Sequence, residues 1–307
     1  SVSTSTTAAD VSKQVAQNLY DVDNAKSDLL QLKQDALNVQ DQIDQINLAI
    51  IESGMAYYDN IISGIDKYLE RSEKYLAKYS STSEQYRDEL DDQSKKLAYK
   101  QDLMEKEAEY IRQQIKSDKL SLAVKDQLQT KLSELSLGWW DVNEAIQAVE
   151  KSIVDSKISQ FADLIEGVNG SISKSENLKE LFDEDSSAYI KEQEKIIANL
   201  KYQQTLYEKE ANYIREQLRN EKLSIQQKNE LSKKLSELSL SWWDLETRVK
   251  SVNDELTSSI TTNINKLRDA QKEQIEKQIK DTEEYYDREI EKQQQKLDLR
   301  RPAFFLY

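Results

Sequence analysis

The sequence predicts an all-α fold of elongated tandem helical hairpins, coiled-coil in character. Three observations carry that prediction. A block from Tyr99 to Asp141 recurs from Tyr202 to Asp244, gapless, at an offset of 103 residues, with more than half its positions identical. The 307 residues include 1 Pro and 5 Gly, and so few helix breakers in a chain with such a repeat point to an array of helical units. Apolar residues recur at alternating steps of three and four over most of the length, which describes a narrow stripe on a helix.

Composition narrows the function. Hydrophobic residues make up 37% and charged residues 33%, which suits long helices that bury one stripe and solvate the rest. The regular apolar spacing argues against disorder, the other reading of such a composition. A net charge of −14 repels phosphate backbones and anionic lipid, so nucleic acid is not an expected partner. The chain has no cysteine and no histidine, which removes disulfides, thiol chemistry, the commonest metal ligand and the usual general base. No run approaches the ~18 apolar residues of a membrane-crossing helix. With no initiator methionine and repeats running toward both ends, the chain reads as an interior section of something longer.

The elements follow in order. Residues 1 to 80 read as the degenerate end of an earlier repeat, since Gly64 lies 103 residues before Gly167. Asp10 is a candidate N-cap for a first helix, with apolar positions at Leu29, Leu32, Val39, Ile43, Ile46 and Ile50. Gly54 and Gly64 predict a kink or short break, and Ser80 to Ser83 a second interruption. Residues 81 to 168 form the first hairpin repeat. Residues 169 to 300 form the second, with a long, polar C-terminal helix. Between them Glu166 to Ser173, with two glycines, predicts the clearest break. Ser186 can start the next hairpin. Residues 301 to 307 (RPAFFLY) are foreign to the repeat, either a cloning remnant or a short apolar docking tail.

The turn inside each hairpin is placed at Lys119 to Ser121 and at Lys222 to Ser224, with Ser121 and Ser224 as the caps. Ser224 followed by Gln227 fits a capping box, in which two side chains satisfy free amides of a new helix. The competing reading is one uninterrupted helix, because neither turn contains Gly or Pro. The second arm carries the packing seam: Leu128, Leu132, Leu135, Trp139, Val142 and Ile146, repeated as Leu231, Leu235, Leu238, Trp242, Leu245 and Val249. Such a stripe needs a partner helix. The first arm supplies Leu90, Leu97, Met104 and Ile111, with Ile197, Leu200, Tyr207 and Ile214 in the second copy.

Chemistry is hard to find. Adjacent helical residues point about 100° apart, so Trp139 and Trp242 belong to the core. Trp140 and Trp243 sit to one side, at the hairpin edge, as a candidate partner surface. Acidic pairs such as Asp183 with Asp185, or Glu283 with Glu284, fall on solvated faces and match no calcium loop. No phosphate-cradling glycine loop is present. No catalytic, cofactor-binding or metal-ligating residue is assigned, and the chain is not expected to be an enzyme.

Several segments resemble phage tail tape measure proteins: Tyr110 to Ile115, the turn Lys119 to Ser121, the run Lys131 to Ser136, and Trp139 to Ile146, with their counterparts 103 residues later. The resemblance covers roughly 85 to 300. It implies a structural role in setting tail length and filling the tail tube, in a phage or prophage of Gram-positive bacteria. It also implies tail tube or assembly proteins as partners, self-association, and a location in the virion tail or, during assembly, the host cytoplasm. Tape measure proteins lie along the tube, and folding into hairpins shortens a helical ruler by about half or more, so a hairpin state outside the tail that unfurls within it is a further expectation of the resemblance. The period of about 103 residues is also similar to spectrin-like three-helix repeats, whose implied role is a surface-stalk or spacer protein. A helical membrane-active toxin is a third reading; Leu48 to Ile51 and the final FFLY are its apolar hints.

Overall fold

The computed structural model describes residues 8–300; the tail at 301–307 lies outside the described residues. The described chain is all helix and turn, with five helices: α1 (Ala8–Leu76), α2 (Glu84–Ile115), α3 (Leu122–Lys179), α4 (Ser187–Gln217) and α5 (Ile225–Arg300). Consecutive helices run antiparallel, and the boundaries repeat with the sequence. Both α2 and α4 begin, and α1 and α3 end, at positions 103 residues apart. Asp10 falls in the first turn of α1 rather than before it.

Serines fix the helix starts. Ser83 Oγ accepts the Tyr86 amide at 3.2 Å, and its repeat equivalent Ser186 accepts that of Tyr189 at 3.1 Å. Ser121 accepts the Val124 amide at 3.4 Å. At Ser224 the box closes in both directions, with the Gln227 amide donating to Ser224 Oγ (3.3 Å) and the Ser224 amide donating to Gln227 Oε1 (2.9 Å). The turns avoid glycine by a side-chain device. Ser117 and Asn220, equivalent in the repeat, each accept the amide two residues on, from Lys119 and Lys222 at 3.3 and 3.0 Å. No described residue has a positive φ. The hairpin reading therefore holds over the uninterrupted helix.

The glycine breaks do not exist. α1 passes through Gly54 and Gly64, and α3 passes through Gly167 and Gly170. A helical glycine costs about 1 kcal/mol relative to alanine, and burial on either side outweighs that. Ile51, Met55 and Ile65 flank the first pair, and Ile165, Val168 and Ile172 the second, all buried. The expected boundary between residues 168 and 169 thus lies inside one helix.

Two compact units divide between Ser156 and Lys157, within α3. In the first, the C-terminal half of α1 packs with α2 and the start of α3 around Ile51, Leu97, Ile111, Leu128, Val142 and Ile146. In the second, the end of α3 packs with α4 and the start of α5 around Ile165, Ile172, Ile196, Leu200 and Leu245. Matching polar contacts tie each bundle. Ser72 donates to Glu89 in the first unit; their equivalents in the second are Ser175 and Glu192, whose hydrogen bond helps hold the Glu192 carboxyl below the usual range, after the larger effect of Lys195. Beyond the bundles, α1 from Asp10 to Gln42 and nearly all of α5 from Arg268 to Leu297 are solvent-exposed. No helix among the described residues is long and apolar enough to cross a membrane.

Candidate functional site

The feature that both units build in the same way is a groove between the two arms of the hairpin, floored by a tryptophan. In the first unit it has a volume of about 890 Å³, between Met104, Ala108 and Arg112 of α2 and Leu135, Ser136 and Trp139 of α3. The second unit repeats it with Tyr207, Ala211 and Arg215 against Leu238, Ser239 and Trp242, at about 360 Å³. Tyr207 stands where Met104 stands, which accords with the smaller space.

The helix register sets the tryptophan pairs. Trp139 and Trp242 lie on the seam but are half-buried rather than core, since each lines its groove. Each indole N–H finds an acceptor across the hairpin, Glu105 Oε1 and Glu208 Oε1, both at 3.2 Å. Trp140 and Trp243 point outward, 60% and 64% exposed, and meet their neighbours edge to face at 5.1 and 5.2 Å. The arginines are held at the groove wall: Arg112 lies 3.7 Å from Glu109, and Arg215 donates to Asn212 at 2.7 Å. Of the other seam residues, Leu128, Leu135, Val142, Ile146, Leu231, Leu238 and Leu245 are buried. Leu132, Leu235 and Val249 are half-buried.

Sequence reasoning missed a second repeated feature. Glu107 is fully buried on α2, and its equivalent Glu210 is buried on α4. Neither carboxylate oxygen of Glu107 receives a hydrogen bond. Burial, and secondarily the charge of Asp59, push its carboxyl up to about 7; Lys131 opposes. Burial also raises Glu210, opposed by Lys234, whose ammonium lies 3.4 Å away. The one signal in the sequence is its position: Glu107 lies three residues after Met104 and four before Ile111, on the seam itself.

These groups form no acid–base pair and present no nucleophile beside a base. Asp185, singled out as a carboxylate, pairs with Lys266, which holds its carboxyl below the usual range, while Asp183 is exposed. Among the described residues no group of three or more potential ligands is placed to hold a metal ion. What the site offers is an aromatic ledge beside a shallow groove, presented once per repeat. Comparison with models of protein families, with curated proteins and with solved structures finds no match to this chain.

Proposed function

We propose that the chain is a non-catalytic helical repeat segment of a phage tail tape measure protein, helping to set tail length and fill the tail tube during assembly. The observation that carries this reading is the recurrence, at one 103-residue interval, of the same helix boundaries, caps and tryptophan groove. A chain that counts length needs interchangeable units and no reaction centre. The outward Trp140 and Trp243 are its surface for tail tube or assembly proteins, and it acts in the virion tail and, before that, in the host cytoplasm.

Excising codons 99–201 in frame from the phage gene removes one period, and electron microscopy of the resulting tails reads the outcome. A repeat lying in the tube as continuous helix shortens the tail by about 155 Å, at ~1.5 Å per residue. A repeat kept as a hairpin shortens it by less than half of that. Tails of unchanged length overturn the reading. The three-helix plan of each unit favours a second reading, a spectrin-like spacer. That reading predicts no tail phenotype and gene neighbours that encode no tail tube or baseplate protein.

A further inference from the structure

Helix α1 carries two apolar stripes. Leu48, Ile51, Met55, Ile62 and Leu69 belong to the stripe that packs into its own bundle. The other is uncovered. Val15, Val22, Leu29, Ala36, Ile43 and Ile50 recur every seven residues, and Val11, Asn18, Ala25, Leu32, Val39 and Ile46 recur every seven between them. Their Val, Leu and Ile side chains are from 43% (Ile43) to 69% (Leu29) exposed. From Ile43 to Ile51 the helix is apolar on two sides, one packed and one open. A strict seven-residue period drifts off a straight helix face and stays in register only with a supercoiled partner.

We propose that Val11 to Ile50 form the seam of a parallel, in-register coiled coil with a second copy of this chain. The flanking charges select that occupant. Asp21, Asp28 and Asp35 stand immediately before seam residues Val22, Leu29 and Ala36, whereas Lys26 and Lys33 stand immediately after Ala25 and Leu32. In a parallel pair, the position before one seam residue faces the position five residues further along the other chain. Asp21 then meets Lys26 of the second copy, and Asp28 meets Lys33. Within one helix a spacing of five does not bring side chains together. An antiparallel pair would set aspartate against aspartate and lysine against lysine.

Asn18 adds register. It is the single polar residue of the seam, and only in-register pairing sets its amide against another amide; a slip buries it against valine or alanine. The exposed stripe of α5 does not match. Ile264, Ile275, Tyr286 and Leu297 recur every eleven residues, a period that supercoils with the opposite hand. The inference does not depend on the tail reading, since a spacer would use the same seam.

The test uses the full chain, which has no cysteine of its own. Light scattering on the wild type is expected to give at least twice the 35.7 kDa chain mass. Oxidised Val22→Cys is expected to cross-link to itself, and Gln34→Cys, on the outer face, is not. The pair Asp21→Lys/Asp28→Lys faces lysine with lysine, and Lys26→Asp/Lys33→Asp faces acid with acid. Each is expected to self-associate at least about tenfold more weakly at low salt, and an equal mixture of the two to recover association. Circular dichroism confirms that helix content is kept, as these positions are exposed. A monomeric wild type at tens of micromolar overturns the proposal. So does a Val22→Cys variant that associates without cross-linking, the signature of an antiparallel or slipped pair, and so do charge reversals without effect.

Discussion

Glu107 is a carboxyl held where its charge is unwelcome. Its folded pKa of about 7 lies above the ordinary 4.5, so the folded chain binds the proton more tightly than the unfolded chain. The sign follows: its contribution is most favourable below about pH 4.5, declines as pH rises toward 7, and is a full penalty above that. Glu107→Gln removes the ionisation. We expect the variant to exceed the wild type in stability by ~2 kcal/mol at pH 8, with the difference fading near pH 5. Urea unfolding of both proteins across that range checks it; a constant difference would mean the effect is packing. Glu210→Gln should gain less, because it leaves Lys234 without the carboxylate 3.4 Å away. At the tryptophans the two rings of each pair should separate. Losing the half-buried Trp139 or Trp242 to alanine costs ~2 kcal/mol, while losing the exposed Trp140 or Trp243 costs within about 0.5 kcal/mol. Thermal unfolding that showed equal costs would make the outer ring part of the packing and remove it as a partner surface.

At the scale of the element, a helix start is a local event and a helix break is a contest. Ser186 and the Ser224–Gln227 box were legible in the sequence because the cap and the amides it satisfies lie within three residues of each other. The hairpin turns were legible in place, though the device that makes them, Ser117 and Asn220 substituting for glycine, was not. The glycines misled because their cost is local while the compensation is tertiary: Val168 and Ile172 are buried only once α4 and α5 are in place. The groove at each tryptophan was half-legible, since the seam located its floor but not how open it stands. Glu107 was overlooked because a charged residue on a seam reads as surface until the facing helices are positioned. The glycine account has a consequence. A Cβ at Gly167 or Gly170 would meet nothing within 4 Å. Gly167→Ala and Gly170→Ala should each stabilise the chain by about 1 kcal/mol. At Gly54 a Cβ would strike the outer end of the Tyr110 ring, which must shift, so Gly54→Ala should raise the unfolding midpoint less than Gly167→Ala does. If alanine at 167 and 170 destabilised, the segment would be a break after all.

At the scale of the whole molecule, the hairpins are built so that they can open. Their turns hold no glycine, no proline and no left-handed residue, and the α2 and α4 caps at Lys116 and Leu218 already have helical φ and ψ. Rotating a few residues of each turn would fuse the arms into one helix without forbidden backbone. What resists is the seam: buried Leu128, Leu135, Val142 and Ile146 would be exposed unless another surface took the place of the first arm. A tail tube wall, or neighbouring copies joined through α1, could provide that surface; dilute solution cannot. Spin labels at Arg112 and Gln129, which line the same groove, report the difference. In the isolated chain their separation should be clearly shorter than the ~25 Å of seventeen residues of continuous helix. In assembled tails it should lengthen to about that value if the repeat measures by opening. A short distance in both settings would rule out opening, and the tail shortening that the proposed function expects on excision of one repeat would then be the smaller one.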